Sequence, residues 1–232
     1  MPELITRQTI EYHWDASPAH NERMLKFIKA GVYLVTSQSM SAGRTTLEIV
    51  QSALMGGIRL IQLREKDLPE TQFKALAGKV KSLTDRAEAL LLINDRLDAA
   101  IETGADGVHL GQDDLPVNEA REQTPDLIIG ASTHSVEEAV KAQADGASYV
   151  NIGPIFPTQT KEGCSEFLGI EAVKEISSAI TIPFTVMGGI KENHIPDLIS
   201  AGARVIAIVT AITAAENPGK AAETLINIVK NG

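Results

Sequence analysis

Residues able to hold phosphate and metal recur at one kind of place in this 232-residue chain, just after short apolar runs. The run "IRLIQLR" and the two residues after it carry Gln62, Arg64 and Lys66 at every second position, so an extended strand turns all three to one side. Arg brings a rigid two-pronged donor and Lys a mobile point charge, a pair suited to a diphosphate. The alternative is a solvated strand end whose cations pair with Glu65 and Asp67. Asp95 follows Asn94 at the end of "ALLLIND", and Asp114 closes "GQDD" one unit later. Two carboxylates at neighbouring strand ends can share a hard cation, and Mg2+ commonly takes one or two carboxylates plus substrate phosphate and water. Each aspartate is also an ordinary candidate for a helix N-cap.

Three further segments join these. "GPIFPTQTK", Gly153 to Lys161, follows the run "SYVNIG"; its prolines stiffen the backbone, while Thr158, Thr160 and Lys161 supply hydroxyls, amides and a charge. That is a cradle for phosphate without the glycine density of a nucleotide-triphosphate loop. "MGGI" and "VTAIT" close the last two runs, where Gly188 and Gly189 allow close backbone approach. His134 in "STHS" stands near Ser132, with Ser135 as the N-cap of the next helix; His109 reads as a packed strand residue.

The elements that must position these groups follow from periodicity. Eight apolar runs (32–37, 58–64, 89–95, 107–111, 127–132, 148–153, 183–189 and 204–210) alternate with segments whose apolar residues recur every three or four positions. Short continuous runs suit strands buried on both faces, as in parallel sheets. "MGGIRLIQLR", "GADGVHLG", "ADGASYVNIG" and "AGARVIAIV" each set glycine at a helix end just before a strand. Eight strand-then-helix units predict an α/β fold, a (β/α)8 TIM barrel over residues 31–232, with an open doubly wound sheet as the alternative. Residues 1–30 form an N-terminal extension; "SPAHNERMLKFIKAG" predicts a helix with Ser17 as N-cap, Pro18 in the first position and Gly31 as its stop. Trp14 reads as packing. In a barrel the polar strand ends gather at one face, the usual seat of an active site.

Composition narrows the function classes. A net charge of −9 and no basic stripe argue against nucleic acid as a partner. No apolar stretch approaches a membrane span, and the first thirty residues hold no signal-like core, so the expectation is a cytoplasmic protein. The lone Cys164 makes no internal disulfide. Phosphorylated small molecules remain as ligands, and a homo-oligomer is compatible with all of this.

In order, "QLREK", "IND", "HLGQDDL", "GASTHS", "GPIFPTQTK", "GGI" and "IVTAI" resemble the thiamine phosphate synthase family, from about Tyr33 to the C-terminus. The resemblance implies a (β/α)8 barrel that joins an aminopyrimidine methyl diphosphate to thiazole phosphate, or its carboxylated form, releasing pyrophosphate with Mg2+ bound. It implies Gln62, Arg64, Lys66, Asn94, Ser132 and Lys161 on the pyrimidine diphosphate, with Arg64, Ser132 and Lys161 catalytic. It further implies Asp95 and Asp114 on Mg2+, and Thr158, Thr160, Gly189, Val209 and Thr210 on the thiazole phosphate. The chain departs from the family pattern at "YLVTS", where an aspartate usually follows the threonine, at Thr210, where serine is usual, and at "KEGCSE". A thiazole tautomerase of the same fold, using His134, and a non-catalytic phosphate-ligand sensor are the competing readings.

Overall fold

The computed structural model describes residues 17–158 and 167–232. Strands β1 (Val32–Val35), β2 (Leu60–Leu63), β3 (Leu90–Asn94), β4 (Gly107–Leu110), β5 (Ile128–Thr133), β6 (Tyr149–Ile152), β7 (Phe184–Val186) and β8 (Val205–Ile208) close into a barrel in chain order. Every neighbouring pair is parallel, and β8 completes the ring against β1, with Ala207 opposite Tyr33. Closure excludes the open sheet. Each strand falls inside one of the eight apolar runs, save that β5 runs one residue further to Thr133, because both faces of a strand are covered: one by the barrel interior, the other by helices.

Helix α1 (Pro18–Lys29) precedes the barrel, and α2 (Thr46–Met55), α3 (Glu70–Arg86), α4 (Leu97–Thr103), α5 (Val117–Gln123), α6 (Val136–Ala144), α7 (Gly169–Ser178) and α8 (Ile195–Ser200) follow β1 to β7 in turn. After β8 come a one-turn helix, α9 (Thr210–Thr213), and the closing α10 (Pro218–Asn231). Helix starts follow local chemistry. Thr45 and Glu48 form a reciprocal capping box on α2, Ser135 accepts from Glu138 N on α6, and Asn217 with Pro218 starts α10. Gly104 stops α4 in the left-handed conformation, at φ 64°.

The barrel interior is a packed core. Tyr33, Leu60, Leu92 and Tyr149 meet there with Met24 and Phe27, which α1 contributes from outside the ring. Helix α1 begins as its sequence predicts, with Ser17 accepting from His20 N and Pro18 in the first turn. It lies across the end where strands start: His20 Nε2 is 2.9 Å from Ser148 Oγ, and Arg23 donates to Asp126 O at 2.8 Å. One end of the barrel is thereby closed. The strand ends carrying the polar motifs face the other.

Candidate active site

A cavity of about 360 Å3 opens over the C-terminal ends of the strands. Gln62, Arg64, Lys66, Asn94, Asp95, Asp114, Ser132, Thr158, Gly189, Val209 and Thr210 all line it. Thr160 and Lys161 lie outside the described residues, as do Trp14 and Cys164.

On the basic side, β2 ends at Leu63, so the alternation that groups Gln62, Arg64 and Lys66 is carried past the strand by the turn after it. Thr36 Oγ1 holds that turn by accepting from Arg64 N at 2.9 Å. Glu65 does not neutralise its neighbours. It turns into the wall, 8% exposed, and accepts from Gln38 N at 2.9 Å and Thr46 Oγ1 at 2.7 Å, tying the β1 loop and the start of α2 to β2. Among the described residues Arg64 forms no ion pair, and Lys66 Nζ reaches only Asp95 Oδ2, at 3.8 Å. The solvated-pair alternative therefore fails.

Neither aspartate caps a helix. Arg96 is the N-cap of α4 and Pro116 that of α5. Asp95 instead sits at φ 64°, a left-handed conformation that costs a non-glycine residue about 1–3 kcal/mol and is held here by its N–H on His109 O. Asp114 accepts from Gly111 N at 2.6 Å. Burial, and then the hydrogen bond and charge of Asp114, push the Asp95 carboxyl up to about 6. Two carboxylates close enough to disfavour each other's charge beside an open cavity are short of a cation, so the pair fits Mg2+. Among the described residues no cluster of three or more acidic, His or Cys side chains forms a closed metal cage. Two carboxylates leave the remaining positions to phosphate and water.

The cavity floor holds groups that sequence reading passed over. His109 is packed, as expected, but also hydrogen-bonded: Nε2 lies 2.9 Å from Ser132 Oγ and Nδ1 lies 2.8 Å from the Tyr149 hydroxyl. Burial pushes its imidazole down to about 4, so it is neutral at physiological pH. Tyr149 meets Tyr33 at 3.0 Å between hydroxyls, and Gln62 Nε2 donates to Tyr33 at 2.7 Å. Asn151 also lines the floor, its Oδ1 accepting from Thr185 Oγ1 at 2.7 Å. An amide interrupting the apolar run "SYVNIG", in register with Ser132, was the signal that could have found it. His134 lines the cavity with Nδ1 2.9 Å from Glu138 Oε2, next to the capping Ser135.

On the far side the motif that begins at Gly153 runs beside the β7 loop, with Ile155 N donating to Met187 O and Phe156 N to Gly188 O. A Cβ on Gly188 would lie 2.5 Å from Pro154 Cβ, and one on Gly189 2.3 Å from Pro157 O. The two glycines thus serve close packing between two loops as well as the cavity wall. Val209 and Thr210 begin α9 next to them, an arrangement of loop amides and a short extra helix that suits a phosphate.

The thiamine monophosphate synthase family matches residues 32–212, from β1 through most of α9. This chain belongs to that family. It is 42% identical to the thiamine-phosphate synthase of Methanoculleus marisnigri over 195 residues, covering 84% of this chain and 92% of that protein. It is 40% identical to the thiamine-phosphate synthase of Clostridium tetani over 201 residues, covering 86% and 96%. Among solved structures, the thiamine phosphate pyrophosphorylase of Pyrococcus furiosus superposes with a TM-score of 0.82 at 35% identity, covering 89% of this chain and 98% of that one. Among the described residues no helix is long and apolar enough to cross a membrane.

Proposed function

We propose that the chain is a thiamine-phosphate synthase, a transferase that joins 4-amino-2-methyl-5-(diphosphooxymethyl)pyrimidine to thiazole phosphate and releases pyrophosphate. One observation carries the reading. An arginine without an ion-pair partner among the described residues lines one cavity with two neighbouring carboxylates, Asp95 and Asp114, whose proximity raises the Asp95 carboxyl. A diphosphate together with a divalent cation satisfies both at once, whereas either alone leaves one side uncompensated.

In this reading Arg64 and Lys66 grip the diphosphate, and Lys161 is assigned to it as well. Gln62, Asn94 and Ser132 take the pyrimidine. Asp95 and Asp114 hold Mg2+, which when bound supplies positive charge to the departing pyrophosphate. Thr158, Thr160, Gly189, Val209 and Thr210 take the thiazole phosphate. The methylene carbon–oxygen bond breaks first, its electron pair leaving with pyrophosphate, while the amino group feeds density into the ring and steadies the cationic methylene. The thiazole nitrogen then donates its lone pair to that carbon. Little covalent work falls to the protein; charge placement and orientation dominate. Arg64 and Lys161 stabilise the leaving group, and Ser132 orients the ring.

The catalytic unit is taken as residues 31–232 and residues 1–30 as an extension; the protein is taken to work in the cytoplasm, with homo-oligomerisation read by light scattering. His134, held by Glu138 beside the cavity, keeps the tautomerase as a second reading. Purified protein with both substrates, with and without Mg2+, separates them. Equal amounts of thiamine phosphate and pyrophosphate, dependent on Mg2+, are expected. Isomerised thiazole without coupling supports the tautomerase, and binding without turnover supports a sensor.

A further inference from the structure

We propose that a one-directional hydrogen-bond chain inside the barrel, running from Gln62 through Tyr33, Tyr149 and His109 to Ser132, fixes which part of the cavity floor accepts and which donates. His109 and Tyr149 are then positioning residues for the substrate ring. The proposal rests on the reading above that Gln62 and Ser132 meet the pyrimidine.

The direction follows from counting protons. The Gln62 amide nitrogen only donates, so the Tyr33 oxygen accepts from it at 2.7 Å. Tyr33 is fully buried, and the one further described partner for its proton is the Tyr149 oxygen, at 3.0 Å. Tyr149 must then donate to His109 Nδ1 at 2.8 Å. A neutral imidazole that accepts at Nδ1 carries its proton on Nε2, which donates to Ser132 Oγ at 2.9 Å. Were the Tyr149 proton to point at Tyr33 instead, the Tyr33 proton would be stranded in a site closed to water, at the full cost of an unmade buried hydrogen bond.

Both ends of the chain line the cavity. With one Nε2 hydrogen spent on Tyr33, Gln62 offers Oε1, an acceptor, beside its second N–H. With its oxygen accepting from His109, Ser132 offers its hydroxyl proton, a donor. An aminopyrimidine carries the complement, an exocyclic amine that donates and a ring nitrogen that accepts. A phosphate oxyanion brings acceptors only and leaves Gln62 Oε1 unmatched, so the floor favours the ring and leaves phosphate to Arg64 and Lys66. Phe27 of α1 packs on Tyr149, ring centroids 4.4 Å apart, so the chain is braced from the closed end of the barrel.

The test is nitrogen NMR of the full, ligand-free chain carrying 15N-histidine, followed by calorimetric binding of the pyrimidine diphosphate and of thiazole phosphate. His109 is expected with its proton on Nε2; a proton on Nδ1 reverses the chain and overturns the proposal. Tyr149→Phe removes the donor to Nδ1. The expected result is a shift of His109 toward mixed tautomers and about a tenfold weaker binding of the pyrimidine diphosphate, with thiazole phosphate unchanged. Equal weakening of both ligands, or of neither, overturns it. Tyr33→Phe serves where Tyr149→Phe does not fold: it frees the Gln62 amide and weakens the same ligand while the His109 tautomer stays, because Tyr149 still donates. The tautomer is read without any substrate, so a failed coupling reaction would sink the synthase reading and leave the direction of the chain measured.

Discussion

The two ends of this barrel treat their arginines in opposite ways. At the closed end Arg121 donates to the carbonyls of Thr124, Pro125, Leu127 and Gly146 and to Ser148 Oγ, which also meets His20 of α1. At the open end Arg64 has its backbone pinned by Thr36 and its guanidinium without an ion-pair partner among the described residues. The same contrast holds for carboxylates. Asp106, near the closed end, accepts from Leu91 N at 2.9 Å and lies 3.7 Å from both Arg23 and Lys81, whereas Asp95 and Asp114 have, besides the Gly111 amide on Asp114, each other and a distant Lys66 as the one cation within ion-pair range among the described residues. Polar groups at one end are spent on holding the fold, and those at the other are kept in place but unspent. A binding site needs the second kind, and the first supplies the rigidity that holds it there.

Substitutions at the two ends should therefore separate activity from stability. Asp95→Ala is expected to lower turnover by about 10²–10³, the usual cost of removing one preorganised electrostatic group, while circular dichroism and the melting midpoint hold. Near-normal turnover in that variant would remove the metal assignment. At the closed end Phe27→Ala should cost about 3–5 kcal/mol by denaturant unfolding, because a fully buried ring packed on Tyr33 and Tyr149 is lost. A loss below about 1 kcal/mol, the level of an exposed substitution, would show that α1 does not close the barrel.

The smallest expected effect is a pair of pH slopes of opposite sign. Burial, then the charge of Arg121, holds His20 below its ordinary 6.5, so the unfolded chain binds that proton first. The closed end accordingly loses stability as pH falls through about 6.5, and His20→Gln should flatten that part of the acid limb. Asp95, pushed up to about 6 from 3.8, has the reverse sign: the folded metal-free protein holds the extra proton, so this pair loses stability as pH rises from about 4 to about 6. Urea midpoints against pH, with and without Mg2+, check both; Mg2+ should abolish the Asp95 slope and leave that of His20.

Much of this architecture was legible because the barrel writes itself locally. Strands covered on both faces appear as unbroken apolar runs, and active-site groups stand immediately after them, as at "QLREK" and "LLLIND". What stayed hidden depends on contacts distant in sequence. The links of the floor chain join residues 29, 116, 40 and 23 positions apart, so His109 read as packing, and Tyr33 and Tyr149 lay unremarked within apolar runs. Glu65 misled for the same reason. Beside Arg64 and Lys66 in sequence it looks like their counter-ion, yet its partners are Gln38 and Thr46. The helix cap, the alternative reading for Asp95, gave way to a left-handed turn in which the carboxylate meets Asp114 rather than the amides of α4.

The central claim is that the open end does the chemistry and the closed end holds it in place, and the two arginines test it side by side. Turnover per folded molecule and the urea midpoint should be measured for Arg64→Ala and Arg121→Ala. Arg64→Ala is expected to lose about a hundredfold in turnover at an unchanged midpoint, and Arg121→Ala to lose about 2 kcal/mol of stability at unchanged turnover. If Arg64→Ala instead unfolds the barrel at full activity, or Arg121→Ala abolishes turnover in a stable fold, the account is contradicted.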